Sequence, residues 1–244
     1  LHRRNGGVTE ISRCFMRILL LALAGLLIAG CAVADPNMIH LSRLDPLPDV
    51  TMREVMPLRV AVAAVVSPQG AVESYQPLLD YLSVQLNRPV EIMQRRTYQE
   101  INDLIQQNAI DLAFVCTSAY VVGAEGFGME LLAAPQVNGE TVYHSLLIVP
   151  ADSPAQGIED LRGRVFAFTD PISTTGLIYP TVLVQGLSET PASFFSRTFF
   201  TYSHDDAIRA VATGVADGAA VDSFVYEFAV SHDPELGQRT RIIH

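Results

Sequence analysis

Residues 166–180 read FAFTDPISTTGLIYP. An apolar, strand-like run stops at Asp170-Pro171, and three hydroxyl residues, Ser173, Thr174 and Thr175, come before a glycine and a new apolar segment. A helix N-terminus presents unpaired backbone N–H groups and a partial positive charge, so it is a ready anion site. Ser and Thr hydroxyls add donors that carry no charge of their own. This stretch can therefore grip a tetrahedral oxyanion, or Ser173 can simply cap a helix with the two threonines beside it on the surface. Pro180 fits best in the first turn of that helix.

Two other stretches carry side chains of the same kind. Ser203 opens SHDDAI, with Asp205 and Asp206 in the first turn favoured by the helix dipole and Gly214 as the stop. Asp222 ends DGAAVD at a strand end, where a pocket role and a capping role suit it equally, and Asp217 in the same stretch reads as structural. Ser173, His204 and Asp222 have the residue types of a hydrolase triad. However, no Gly-x-Ser-x-Gly elbow surrounds Ser173, and three adjacent hydroxyls suit hydrogen bonding better than one activated nucleophile. With neither a paired-His motif nor a Cys pair, no metal site and no cofactor are expected.

The chain of 244 residues is 49% hydrophobic and 17% charged, long enough for one large or two small domains. All sixteen basic residues are Arg, and the net charge of −10 becomes −13 without residues 1–30, which hold four Arg and one Glu. Such a chain has no electrostatic footprint for nucleic acid. From Met16 it reads MRILLLALAGLLIAGC: a charge, a short apolar core and small residues before Cys31. That pattern matches a secretory signal, and its apolar run is shorter than the roughly 20 residues a membrane span needs. IAGC resembles a bacterial lipobox, which implies that Cys31 is the lipidated first residue of the mature protein. Residues 1–15, including Cys14, read as an upstream extension, and residues 31–56 as a Pro- and Asp-rich tether. Only Cys116 remains inside the mature domain, so no internal disulfide is expected and Cys116 reads as a small buried hydrophobe.

The elements that must position these residues alternate. LRVAVAAVV (58–66), VEIMQ (90–94), IDLAFV (110–115) and HSLLIVP (144–150) read as strands, followed by RVFAF (164–168), RTFFTY (197–202), DGAAV (217–221) and TRIIH (240–244). Tyr75, Leu78, Leu79, Leu82 and Leu86 share one face of a helix with Pro77 in its first turn. Thr97 and Glu100 form a capping box for a helix that turns Ile101, Leu104 and Ile105 inward. Ser203 caps a helix running to about Ala212. The alternation predicts an α/β fold with mainly parallel sheets, and the end on RIIH, without cap or tail, suggests C-terminal truncation.

Several stretches together, YQPLLDYLSVQLNRPVEI, IDLAFV…AY, YHSLLIVPADSP…IEDLRGRVFAFTDPISTTG and SHDDAIRAVATGVADGAAVDS, resemble the periplasmic substrate-binding proteins of phosphate, phosphite and phosphonate ABC transporters. The likeness covers roughly residues 57–244, with DPISTTG followed by SHDDAI its most specific part. It implies a two-lobed type II periplasmic-binding fold, lobe 1 over 57–146 and lobe 2 over 147–244, ending at the start of a return to lobe 1. It also implies a phosphorus oxyanion held by Ser173, Thr174 and Thr175, by His204, and by the hinge-side Tyr143. Asp222 and Tyr98 would be further pocket residues, and Tyr120 a weak candidate. An ionised Asp222, able only to accept hydrogen bonds, would favour a ligand with a P–OH group over sulfate. The family's usual loop is close to Ser-Thr-Ser-Gly; here Thr175 stands at the second Ser, keeping the hydroxyl and adding a methyl. The implied partners are an ABC permease and ATPase, with the membrane reached through Cys31 in the periplasm. A sensor that presents the same ligand to a membrane signalling protein is the alternative.

Overall fold

The computed structural model describes residues 55–137, 139 and 141–244. The signal segment, Cys31 and most of the tether lie outside them. No described helix is long and apolar enough to cross a membrane.

The first three strands, β1 (Leu58–Val62), β2 (Val90–Gln94) and β3 (Leu112–Phe114), form a parallel sheet in the order β2-β1-β3. Val60 sits opposite both Ile92 and Leu112. Val60, Ala61 and Val62 are buried, as a continuous β-rich run between two strands requires. The apolar run expected to continue to residue 66 turns earlier: Val65 N–H bonds to the Ala63 carbonyl (2.7 Å), a three-residue turn that ends the strand.

Helix α1 (Pro68–Leu86) starts well before the expected position, and Pro77 lies inside it rather than in its first turn. Pro68 takes the first-turn place that suits proline, and Pro77 forgoes one backbone bond mid-helix. Of the predicted face, Leu79 is buried and Tyr75 packs on Phe114 with ring centroids 5.1 Å apart, but Leu78 and Leu86 are exposed. Helix α2 (Tyr98–Gln106) carries the expected capping box: Thr97 Oγ1 accepts from Glu100 N–H (3.2 Å), and Glu100 Oε2 accepts from Thr97 N–H (2.9 Å). Helix α3 (Thr117–Phe127) follows β3.

The second sheet has the order β6-β5-β7-β4-β8, built from β4 (Ser145–Pro150), β5 (Val165–Phe168), β6 (Arg197–Phe200), β7 (Gly218–Asp222) and β8 (Thr240–Ile242). The strands β5, β6 and β7 are parallel, as expected. Strand β4 runs antiparallel to both β7 and β8 and belongs wholly to this sheet, with Ser145 opposite Asp222. Nothing in its composition gives its direction, which is set by a connection from β3 that passes from one sheet to the other. Helix α4 (Tyr179–Gly186) follows β5, α5 (His204–Ala212) follows β6, α6 (Ser223–His232) follows β7, and α7 (Pro234–Arg239) leads into β8. Gly214 stops the chain after α5 at a φ of +74°, a conformation glycine adopts without strain. Asp217 is structural, its carboxylate accepting from Val165 N–H (2.8 Å) at the root of β5.

Candidate functional site

The hydroxyl stretch lies between β5 and α4. Asp170 begins it: Oδ1 accepts from Ile172 N–H (2.9 Å), a local turn typical of Asp, and Oδ2 accepts from Tyr98 N–H (3.0 Å) at the start of α2. Burial raises the Asp170 pKa, while these two bonds pull it back. Ser173 is fully buried and its Oγ accepts from Gly176 N–H (3.0 Å). Residues Thr174–Ile178 then form one π-helical turn, closed by Ile178 N–H to the Ser173 carbonyl (3.0 Å), before α4 begins with Pro180 in its first turn. Such widened turns recur at functional sites. Gly176 is required here, because a Cβ at this position would lie 1.7 Å from Thr169 Oγ1.

The turn faces the N-terminus of α3. Ser118 N–H donates to Thr174 Oγ1 (3.2 Å), the Ser118 hydroxyl donates to the Ile172 carbonyl, and Cys116 Sγ lies 3.8 Å from Thr174 Oγ1. Cys116 Sγ is also 3.8 Å from the Tyr143 hydroxyl, which bonds Thr117 Oγ1 at 2.6 Å. Two strand-to-helix junctions, one from each sheet, therefore meet side by side. Burial first, and Cys116 second, push the Tyr143 pKa up.

Tyr98 is fully buried and its hydroxyl has no hydrogen-bond partner among the described residues. Burial raises its pKa well above the usual value, and Cys116, Asp170, Asp222 and Tyr143 are all close enough to add to the shift, so the group is a neutral O–H donor. Thr175 Oγ1 is likewise buried without a partner. His204 is the first residue of α5, capped by Ser203, and its Nδ1 accepts the Asp222 backbone N–H (3.1 Å). Burial lowers its pKa to about 3, so the ring is neutral with its proton on Nε2. Asp222 caps α6, Oδ1 taking Phe224 N–H (2.8 Å) and Val225 N–H (3.3 Å), which leaves Oδ2 open. Burial raises its pKa to about 6 against those two bonds. The cluster thus holds neutral donors and one carboxylate acceptor, a set that fits a partly protonated oxyanion.

Residues 60–244 match the family of periplasmic substrate-binding proteins of ABC phosphonate transporters. The chain belongs to this family. It is similar to the phosphate-import protein PhnD of Mycolicibacterium smegmatis, with 30% identity over 217 residues that make up 84% of this chain and 64% of the relative. The phosphonates-binding periplasmic protein of Escherichia coli is 25% identical over 191 residues, 76% of this chain and 56% of its own length. The chain thus spans less than two thirds of these relatives. Among solved structures, a binding protein component of an ABC phosphonate transporter from Pseudomonas aeruginosa superposes with a TM-score of 0.73 at 25% identity, covering 77% of this chain and 64% of that one. PhnD1 of Prochlorococcus marinus, in complex with methylphosphonate, gives 0.68 at 18% identity, covering 77% and 71%. The fold is therefore the two-lobed type II periplasmic-binding fold, α/β with mostly parallel sheets.

Within this fold the residues expected at the site lie along the seam between the two sheets, tied to it by four routes. Thr174, with Ser173 and Thr175 on either side of it in the chain, reaches it through Cys116 and Ser118, Tyr143 through Thr117, and Tyr98 through Asp170. His204 and Asp222 reach it by their mutual bond and by the electrostatic contact between Asp222 and Tyr98. The hydrolase arrangement is not built: Ser173 Oγ serves Gly176 N–H, and His204 Nδ1 takes the backbone N–H of Asp222 rather than its carboxylate. Tyr120 sits within α3, its N–H spent on the Cys116 carbonyl (2.9 Å).

Residue-by-residue reading missed Cys116, Thr117, Ser118 and Asp170. Cys116 is a half-buried N-cap at the seam, beyond the buried filler expected of it. The available signal was the placement of CTS directly after a predicted strand, the same position that Asp222 and Ser223 occupy after β7.

Proposed function

We propose that this chain is a periplasmic receptor that captures a small phosphorus oxyanion, phosphate, phosphite or a phosphonate, between its two lobes and hands it to an ABC permease. Lipid on Cys31 would hold it at the membrane. The observation that carries the reading is that Tyr98 OH and Thr175 Oγ1, two of the three buried hydroxyls without a partner among the described residues, belong to the same cluster as neutral His204 and the open Oδ2 of Asp222. A buried donor without a partner is costly, and an anion in the cleft would satisfy both. Because the ligand touches both lobes only when they are together, binding favours the closed arrangement.

Calorimetry on the full-length protein against phosphate, phosphite, methylphosphonate and sulfate tests the reading, with Thr175→Val and Tyr98→Phe alongside. Phosphorus anions should bind, and sulfate, which offers no proton to Asp222, should bind more weakly. Each variant should weaken binding by about tenfold, the size of one hydrogen bond to a charged ligand, while its melting temperature holds or rises. Unchanged affinity in both variants would remove the site from this seam. The mass of Cys31 in cell-derived protein reads the lipid directly.

A further inference from the structure

A cavity of about 350 Å³ opens between the loop after β2 and the loop after β6. Arg95 and Arg96 line one wall; Tyr202, Ser203 and Asp206 line the other. In a chain with a net charge of −10, two adjacent cations facing a cleft call for an explanation. Most of the other described arginines are matched: Arg59 and Arg88 meet Asp111, Arg162 meets Glu189, Arg209 meets Asp233 and Arg239 meets Glu235. Among the described residues no carboxylate lies within ion-pair distance of Arg95 or Arg96.

The nearby acids are already engaged. The carboxylate of Glu100, whose charge is felt by Arg95, accepts the Thr97 N–H and hydroxyl (2.9 Å each), and Asp206 accepts the Ser203 hydroxyl (2.8 Å). Arg95 spends one N–H on the Gln94 carbonyl (2.7 Å). The Arg96 guanidinium lies over the Tyr202 ring, 4.1 Å from its centroid. Stacking occupies the flat face of a guanidinium and leaves its in-plane N–H fork available for a carboxylate or phosphoryl group.

Tyr202 is held in place by its backbone. Its φ of +64° is left-handed, a conformation that a non-glycine residue adopts only at a cost. It is held there by a bond from its N–H to the Thr169 carbonyl (2.8 Å), while Thr201 N–H bonds the Phe168 carbonyl (2.9 Å). Phe168 and Thr169 lead directly into the hydroxyl turn, and Ser203 directly precedes His204. The cavity wall and the oxyanion site are therefore built on the same two chain segments.

We propose that this cavity is a second anion subsite, and that the ligand is a phosphonate whose carbon substituent bears a further acidic group on a short linker. The inference rests on the phosphorus-oxyanion reading above. Calorimetry with methylphosphonate, phosphonoacetate and methylenebisphosphonate on the full-length protein separates the two. The wild type should bind at least one of the doubly acidic probes about tenfold more tightly than methylphosphonate, and the Arg95→Gln/Arg96→Gln protein should bring that ratio close to one. Carboxylate and phosphoryl preference are read from which probe gains. A ratio near one in the wild type, or a ratio that survives in the variant because all probes weaken together, overturns the second subsite and leaves the oxyanion reading standing. Absence of binding by all three overturns the second subsite, and absence of binding by phosphate and phosphite as well overturns the oxyanion reading.

Discussion

The two sheets of this protein are built on one plan. The order β2-β1-β3 is the same permutation as β6-β5-β7, and in each half a helix follows every one of the three strands. The helix starts also correspond, always 106 positions apart: Ser67 with Ser173, Thr97 with Ser203, Cys116 with Asp222. Tyr98 and His204, the first residues of α2 and α5, correspond in the same way, and both are fully buried. The halves differ in what occupies the turn after the first strand. In the first half the Asp205 carboxylate fills it, accepting Ser67 N–H (2.7 Å) and the Ser67 hydroxyl (2.6 Å). In the second half the Ser173 turn holds only its own Asp170, no carboxylate from another described element enters it, and Thr175 keeps an unpartnered hydroxyl. One such position is satisfied by a carboxylate from within the chain, and on the proposed function its counterpart receives the ligand.

The comparison breaks most sharply at a pair of glycines. Gly70 and Gly176 correspond, yet a Cβ on Gly70 would meet nothing closer than 3.5 Å, whereas on Gly176 it would strike Thr169 Oγ1 at 1.7 Å. Gly70→Ala, within α1, should be tolerated or stabilising by up to about 1 kcal/mol. Gly176→Ala should cost about 3 kcal/mol and abolish oxyanion binding, because the turn must open to admit the methyl. Thermal melts and calorimetry on the two variants check this, and equal behaviour would show that the turns are used alike.

This pair also shows what a reader of the sequence can and cannot reach. The caps were legible: Thr97 with Glu100, and Ser203 with its acidic first turn, are local signals whose partners lie within three residues. So was β1, as a continuous apolar run. The start of α1 was hidden because Pro68 and Pro77 both suit a first turn, and only packing chooses between them. The direction of β4 and the π-helical turn depend on contacts far along the chain. The same holds for the site: Ser173–Thr175 were visible as a motif, but the part played by Cys116 and Ser118 needs a neighbour more than fifty residues away. The correspondence itself escapes a search for short repeats, since most matching positions keep their place at a helix start while changing residue type.

The buried pair Asp222 and His204 gives the next test, in ligand-free protein. The Asp222 pKa is raised from 3.8 to about 6, so the folded state binds its proton more readily than the unfolded chain does, and stability from this group falls as pH rises from about 4 to 6. The His204 pKa is lowered from 6.5 to about 3, so its contribution is present above 6.5 and is lost as pH falls. Between about pH 4 and 6 the two slopes oppose, each about 1.4 kcal/mol per pH unit. Asp222→Asn keeps a good N-cap and removes one slope. It should be more stable than the wild type by about 2–3 kcal/mol at pH 7.5, with the gap closing near pH 4. Denaturant titrations across that range measure it, and a constant gap would mean that Asp222 is not held near 6.

The smallest effect lies at the corresponding residue of the first half. Cys116 occupies the N-cap of α3 but makes no side-chain cap bond, whereas Asp222 makes two. A thiol is a poor acceptor, so the first turn of α3 keeps its donors facing the seam, and one of them, Ser118 N–H, goes to Thr174. Cys116→Ser should add about 0.5–1 kcal/mol of stability by supplying the missing cap. If the α3 donors are kept for the seam, the same change should weaken oxyanion binding slightly, because a serine cap draws one of them away. A gain in stability with affinity untouched would mean that the two N-termini differ only in their caps, and that the ligand is read by the second half alone.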